Sequence, residues 1–136
     1  MKYAEIPSGY VFEAKKIITA HMVDTFAQIT GDKNPIHLDE EFAKTTVFGR
    51  RIAHGILTIG LVSEVLGMEF PGKGTVYMKQ DAKFLKPVYL DEEITVRVAV
   101  KEKIDEKFRL VLTTQVIKSD GQLAVDGEAL VQFKVL

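Results

Sequence analysis

The sequence contains no cysteine, so disulfides, thiolate metal sites and a cysteine nucleophile are all excluded. A chain without disulfides suits a reducing compartment, and the cytoplasm is the expected location. Histidine is scarce as well. The three present, His21, His37 and His54, lack the His-Glu-x-x-His spacing that puts two imidazoles on one helix face, and no metal is expected. No apolar run approaches the ~18 residues of a membrane span, and the opening Met-Lys-Tyr-Ala-Glu-Ile-Pro lacks the apolar core of a secretory leader. Neither sign of charge dominates: 18 Lys+Arg against 19 Asp+Glu leave a formal charge of -1, without the field that draws in nucleic acid or an anionic membrane. Neither is an expected partner. Repeats, low-complexity tracts and Pro/Gly/Ser-rich linkers are also missing. The 136 residues therefore read as one domain, 1–136, whose 46% hydrophobic and 27% charged content is that of a globular chain able to bury a core.

What is present divides the chain into halves of different period. Tyr10 to Ile18 mixes aromatic, β-branched and charged residues as a strand does. Met22, Val23, Phe26, Ala27 and Ile29 recur at helical spacing, and Gly31 follows where a left-handed cap belongs. From Gly31 to His37 the chain is dense in turn formers, and Pro35 disfavours helix at Asn34, so a structured loop is predicted. Asp39 is placed to cap a short helix through Lys44, with Glu40 and Glu41 in its first turn. A second loop, Phe48 to Gly55, leads into Ile56 to Leu66, apolar on nearly every side. That pattern predicts a helix surrounded by protein and closed by Gly67. Strand-like stretches then fill Thr75 to Lys86, Ile94 to Ile104, Phe108 to Lys118 and Leu123 to Val135, with turns at Leu90 to Glu93, Asp105 to Lys107 and Asp120-Gly121. Segregated helices and antiparallel strands make an α+β fold, packed most economically with the sheet wrapped around the buried helix.

Asp32 and His37 lie five apart in one Gly/Pro-containing loop, so a tight turn can aim a carboxylate and an imidazole at one spot and hold a water between them. The same residues have plainer readings. Asp32 and Asn34 suit an Asx turn, His37 a local hydrogen bond, and Gly55 a loop position with positive φ. Gly55 also precedes the apolar helix, where the lack of a side chain leaves N–H groups open to a developing negative charge. Gly72-Lys-Gly74 lacks the frame of a phosphate loop, and Lys101 to Lys107 reads as a hairpin tip. Arg50-Arg51 reads as a solvated surface pair, with a role only if phosphates lie nearby.

The segment from Gly31 to Gly55 resembles the hydratase signature of the MaoC-like family, with its Asp-x-Asn-Pro-x-His core at Asp32 to His37 and the downstream Ile-x-His-Gly at Ile52 to Gly55. Similarity extends through the apolar helix to Gly67, into Pro71 to Tyr77 and into Phe84 to Glu93. It is nearest to the short, single-domain hydratases associated with polyhydroxyalkanoate synthesis. The resemblance implies a hot-dog fold and an (R)-specific enoyl-CoA hydratase, which adds water reversibly and syn to a trans-2-enoyl-CoA to give an (R)-3-hydroxyacyl-CoA. Asp32 and His37 are then the catalytic pair, Asn34 orders the site, and the Gly55 N–H serves the oxyanion hole. Ser63, Val47, Phe48 and Leu57 are candidate pocket residues, although a hydrogen bond within its own helix explains Ser63 equally well. His54 is expected to be structural. No cofactor is implied, CoA being part of the acyl-CoA substrate. A hot-dog unit leaves a sheet edge open, so a homodimer or higher homo-oligomer is expected. Three alternatives share the scaffold: a 3-hydroxyacyl-[acyl-carrier-protein] dehydratase, a thioesterase, and a non-catalytic acyl-CoA-binding module. Thioesterases lack this loop, and a binding module has no need of a paired acid and base. Acyl length depends on where Val47, Phe48, Leu57, Leu61, Val65 and Leu66 point.

Overall fold

The computed structural model describes residues 1–134. After a 3-10 turn at Tyr3–Glu5 come β1 (Val11–Ile17) and α1 (Ala20–Thr30). Thr19 caps α1 by accepting the Met22 N–H at 3.2 Å, and Gly31 ends it at φ +80°, the left-handed conformation that only glycine adopts freely. Two short helices follow, α2 (Pro35–Leu38) and α3 (Glu40–Lys44), the second capped by the Asp39 side chain as expected. The long helix α4 (Gly55–Glu64) then runs on through a wider turn at Val65–Glu69. Gly67 does not close it, contrary to expectation. It stays out of the left-handed region that would stop the hydrogen-bond ladder, and the chain leaves the helix only at Phe70, where the backbone becomes extended.

The second half supplies β2 (Val76–Gln80), β3 (Lys83–Phe84), β4 (Glu93–Ile104), β5 (Arg109–Ile117) and β6 (Leu123–Gln132). All pair antiparallel in one sheet of order β1-β4-β5-β6-β2, with β3 also on β6. The single strand predicted from Thr75 to Lys86 is broken at Asp81–Ala82. There the Asp81 N–H donates to the Glu128 carbonyl while the Asp81 carboxylate accepts the Glu128 N–H, and these bonds interrupt the alternation before β3 begins. The hairpin at Asp120-Gly121 forms as predicted, with Gly121 at φ +87° and the Lys118 N–H on the Gln122 carbonyl. The expected strand end at Val135 lies outside the described residues.

Period-2 alternation sets the inner face of the sheet. Ile94, Val96, Val98 and Val100 of β4 and Leu110, Leu112, Thr114 and Val116 of β5 are buried, and the aliphatic ones pack in one core with Leu61 and Val62 of α4 and Val65 and Leu66 of the turn that continues it. Each fully buried aliphatic side chain is worth about 1.5–3 kcal/mol over leaving it in water. The sheet thus curls around the helix as expected of a hot-dog fold. It covers α4 on one side only. Ile56 is 62% exposed, and Gly60 and Ser63 are open, so the helix is not surrounded by its own chain. Val76, Met78 and Phe84 on the β2–β3 edge are exposed apolar residues as well.

Candidate active site

The site begins at the end of α1, where Gly31 turns the chain into Asp32. Asp32 Oδ1 accepts the Asn34 N–H at 3.3 Å, and Asn34 Oδ1 accepts the Ile36 N–H at 3.2 Å, capping α2 with Pro35 at its first position. Asp32 therefore does form an Asx turn, and this does not compete with chemistry, because the turn engages one carboxylate oxygen. The stretch predicted as loop gains one helical turn, Pro35–Leu38, which presents His37 to the second loop. His37 Nδ1 lies 2.8 Å from the Ile52 carbonyl. A carbonyl can only accept, so Nδ1 carries the hydrogen and Nε2 is left as the basic nitrogen. Burial lowers the His37 pKa below 6.5 and the neighbouring His54 adds to that, while the Ile52 contact and the Asp32 carboxylate oppose it.

The second loop holds the first from behind. Arg51 Nε donates to the His37 carbonyl at 2.6 Å and its Nη2 to Asp24 Oδ1 at 2.7 Å, while the Ile52 N–H donates to the Ile36 carbonyl. Arg51 is thus no solvated surface cation but a strut between α1 and the turn bearing His37. Arg50 lies over the Tyr89 ring at 4.1 Å, and the Tyr89 hydroxyl donates to the Phe48 carbonyl at 3.0 Å, anchoring the loop at its other end. His54 Nε2 sits 3.0 Å from the Asp32 carbonyl, and its ring stacks on His37 with centroids 3.9 Å apart and planes 28° apart.

One side-chain atom each from Asp32, His37 and His54 falls within a span of 4.8 Å, close enough to ask whether a metal fits. A metal bound by two imidazoles must lie in the plane of each ring at about 2.0–2.1 Å from nitrogen. Stacked rings direct their lone pairs along nearly parallel planes that do not meet at such a point. The donor set suits proton transfer rather than coordination of one ion.

Beside His37 opens a largely apolar cavity of about 460 Å3, whose wall includes Phe48, Ile52, Gly55, Thr58, Phe84 and Val125. Gly55 is the first residue of α4, so its N–H is among the donors that a helix leaves without an intrahelical acceptor. Its φ is not left-handed, which removes the plainer reading of this glycine. The constraint is space: a Cβ here would come within 2.7 Å of the Phe84 ring. Of the candidate pocket residues, Phe48 lines the cavity and the others do not. Val47 is 96% exposed at the loop tip, Leu57 packs against the core, and Ser63 lies on the uncovered side of α4. These placements follow from side-chain direction, which adjacency to a motif does not set. Thr58, Phe84 and Val125 were not foreseen as lining residues. Position i+3 from Gly55 was a usable signal for Thr58, since it shares the helix face of that glycine.

His37 and Gly55, the first residue of α4, line one apolar cavity, and Asp32, which is not part of its wall, brings a carboxylate oxygen within 4.8 Å of a His37 ring nitrogen. Residues 3–122 match the MaoC like domain. The chain belongs to the MaoC-like family. This MaoC-like chain is 45% identical over 130 residues to the 3-hydroxybutyryl-CoA dehydratase of Methylorubrum extorquens, covering 96% of the chain and 82% of that protein. It is 39% identical over 133 residues to the (R)-specific enoyl-CoA hydratase of Aeromonas caviae, covering 98% and 99%. The solved (R)-hydratase from A. caviae involved in PHA biosynthesis superposes on the MaoC-like chain with a TM-score of 0.92 at 40% identity, covering 95% of this chain and 98% of that one. The hot-dog fold is thereby established on both architecture and likeness.

Proposed function

We propose that this MaoC-like protein is an (R)-specific enoyl-CoA hydratase, catalysing reversible syn addition of water to a trans-2-enoyl-CoA. The observation that carries the reading is an apolar cavity lined by His37 and Gly55, with the Asp32 carboxylate within 4.8 Å of a His37 ring nitrogen. In hydration, His37 takes a proton from water as the oxygen attacks C3, the proton passes within the coupled pair to Asp32, and Asp32 delivers it to C2 and returns to the carboxylate. Negative charge gathers on the thioester oxygen between these events. The Gly55 N–H faces that oxygen from the positive end of the α4 dipole, so the stabilisation is greatest when the charge is fullest. Asn34 holds the turn that sets the Asp32 orientation. Dehydration runs the same steps backwards, with protons shared by a coupled pair rather than owned by one residue. The acyl group lies against Phe48 and its apolar neighbours, and no redox or metal cofactor enters the scheme.

The working unit is a homodimer or a larger homo-oligomer. The open β2–β3 edge, with Val76, Met78 and Phe84 exposed, offers unpaired backbone and an apolar strip that a second copy can cover. The reaction belongs in the cytoplasm, where CoA thioesters and a cysteine-free chain are both at home. Among the described residues no helix is long and apolar enough to cross a membrane. The test is to mix the purified protein with crotonyl-CoA and trans-2-octenoyl-CoA and follow loss of the conjugated-enoyl absorbance. Turnover of either supports the reading, and their ratio reports acyl length. Turnover of a carrier-protein thioester alone identifies an acyl-carrier-protein dehydratase instead, and binding without turnover identifies a non-catalytic module.

A further inference from the structure

His54 is 2% exposed and is the residue immediately before α4, yet it makes no capping bond to that helix. Because the Asp32 carbonyl can only accept, His54 Nε2 carries the hydrogen between them, and Nδ1 is left with a lone pair. That Nδ1 is buried without a hydrogen-bond partner. An orphaned buried polar atom costs on the order of 1–3 kcal/mol, so packing alone favours an apolar ring at this position. The histidine is kept against that preference. Its other contacts say why: one face-to-face stack on His37, with Phe26 packed at 4.7 Å, and one hydrogen bond to the main chain of Asp32. It is the one side chain in the described hydrogen-bond and ring contacts that touches both members of the pair.

We propose that His54 is a positioning residue for the Asp32/His37 pair, its Nε2–H fixing the main chain of Asp32 and its ring face fixing the plane of His37. The inference rests on the reading that this pair activates water. Among the described contacts His37 is otherwise held at Nδ1 by Ile52, through its carbonyl by Arg51 and through its N–H by the Asn34 carbonyl, contacts that leave the ring free to tilt about the Nδ1 bond. Asp32 is otherwise held on an exposed turn by its N–H on Thr30 Oγ1 at 3.2 Å and by its carboxylate on the Asn34 N–H, contacts that leave its carbonyl to His54. A displacement of about 1 Å between reacting groups costs on the order of 10²-fold in rate. His54 joins the two loops at the point where such a displacement would arise.

Three variants divide its contributions. His54→Phe keeps a stacking face and removes both the donor and the orphaned Nδ1. His54→Gln keeps an amide N–H in reach of the Asp32 carbonyl and removes the ring. His54→Leu removes both. Crotonyl-CoA hydration should lose about 10- to 100-fold in kcat for His54→Phe with KM within about threefold, because substrate contacts are untouched. His54→Gln should recover part of that loss, and His54→Leu should be slowest. Melting should stay within a few degrees of wild type for His54→Phe, which a packing role alone does not predict alongside lost turnover. The proposal is overturned if His54→Phe and His54→Gln both keep kcat within threefold, or if activity falls only as the folded fraction falls. If His54→Phe does not fold, the ratio of His54→Gln to His54→Leu decides, equal rates overturning the role of the donor. Asp32→Asn and His37→Ala run alongside. Should those two keep full turnover, the reading of the pair itself fails. Should they lose it while the His54 variants do not, only the positioning role fails.

Discussion

Replacing Asp32 with asparagine separates the chemistry of the carboxylate from its structural work. Asp32 Oδ1 accepts one hydrogen bond, from the Asn34 N–H at 3.3 Å, on an exposed turn. Asparagine retains that acceptor, so the turn survives, and a surface change of this kind moves stability by no more than about 0.5 kcal/mol. At about 4 °C per kcal/mol for a domain of this size, melting shifts by less than about 2 °C. Turnover is another matter. Loss of a proton donor in the transition state costs on the order of 10²- to 10⁴-fold, which is about 3–5 kcal/mol at 1.36 kcal/mol per decade. Asp32→Ala removes the turn acceptor as well, adding about 1 kcal/mol of instability, or about 4 °C, with little further loss of rate. The assay pairs initial rates of crotonyl-CoA hydration with thermal melting of each variant. Combining Asp32→Asn with His37→Ala should cost less than the product of the single losses, since the two residues act as a unit. Near-wild-type turnover in Asp32→Asn refutes the reasoning, as does a loss that merely tracks the unfolded fraction.

Gly55→Val should lower turnover by more than tenfold while costing little stability, because the Phe84 ring it meets at 2.7 Å is itself 52% exposed and can swing aside; unfolding in place of slowed catalysis would return this position to a packing role. His37 acts as a base only when neutral, and its pKa is lowered first by burial, so kcat/KM for hydration should hold down to pH 6.5 and fall only below it. In the same acid window the unfolded chain takes up the His37 proton before the folded one does, so this residue also makes stability fall with falling pH; an acid limb centred above 6.5 contradicts the account. Lys118→Met leaves the Glu92 carboxylate without the 2.8 Å ion pair in which both side chains are nearly buried, and should cost about 3 kcal/mol, read by denaturant unfolding, with turnover below the melting range little changed. A cost under 1 kcal/mol would show that water already reaches Glu92.

Much of this molecule is legible in its sequence because local rules and global packing agree. The alternation in β4 and β5, the cap at Gly31, the Asp39 cap and the Asp120-Gly121 hairpin all depend on neighbours within a few residues, and each forms as read. The Asx turn at Asp32 and the Asn34 cap of the helical turn that carries His37 were legible for the same reason. What escaped depends on partners remote in sequence. Arg51 looks like a surface cation until α1 brings Asp24 beside it and the first loop brings the His37 carbonyl. The break between β2 and β3 is imposed by Glu128, 47 residues from Asp81. Gly67 carries no sign that the helix will continue through it, because a right-handed glycine and a capping glycine are the same residue. Val47 and Ser63 stand close to the motif in sequence but point away from the cavity, and the exposed side of α4 is apolar enough to have read as buried.

The central claim is that Asp32, His37 and the Gly55 N–H serve one face of a planar enoyl thioester, so that oxygen and proton arrive from the same side. Hydration of crotonyl-CoA in deuterated water tests it most directly, with the configurations at C2 and C3 of the recovered 3-hydroxybutyryl product assigned by chiral separation and proton coupling constants. The account predicts an (R) alcohol with deuterium at C2 delivered syn to the new hydroxyl. An (S) alcohol, or anti delivery, would contradict it.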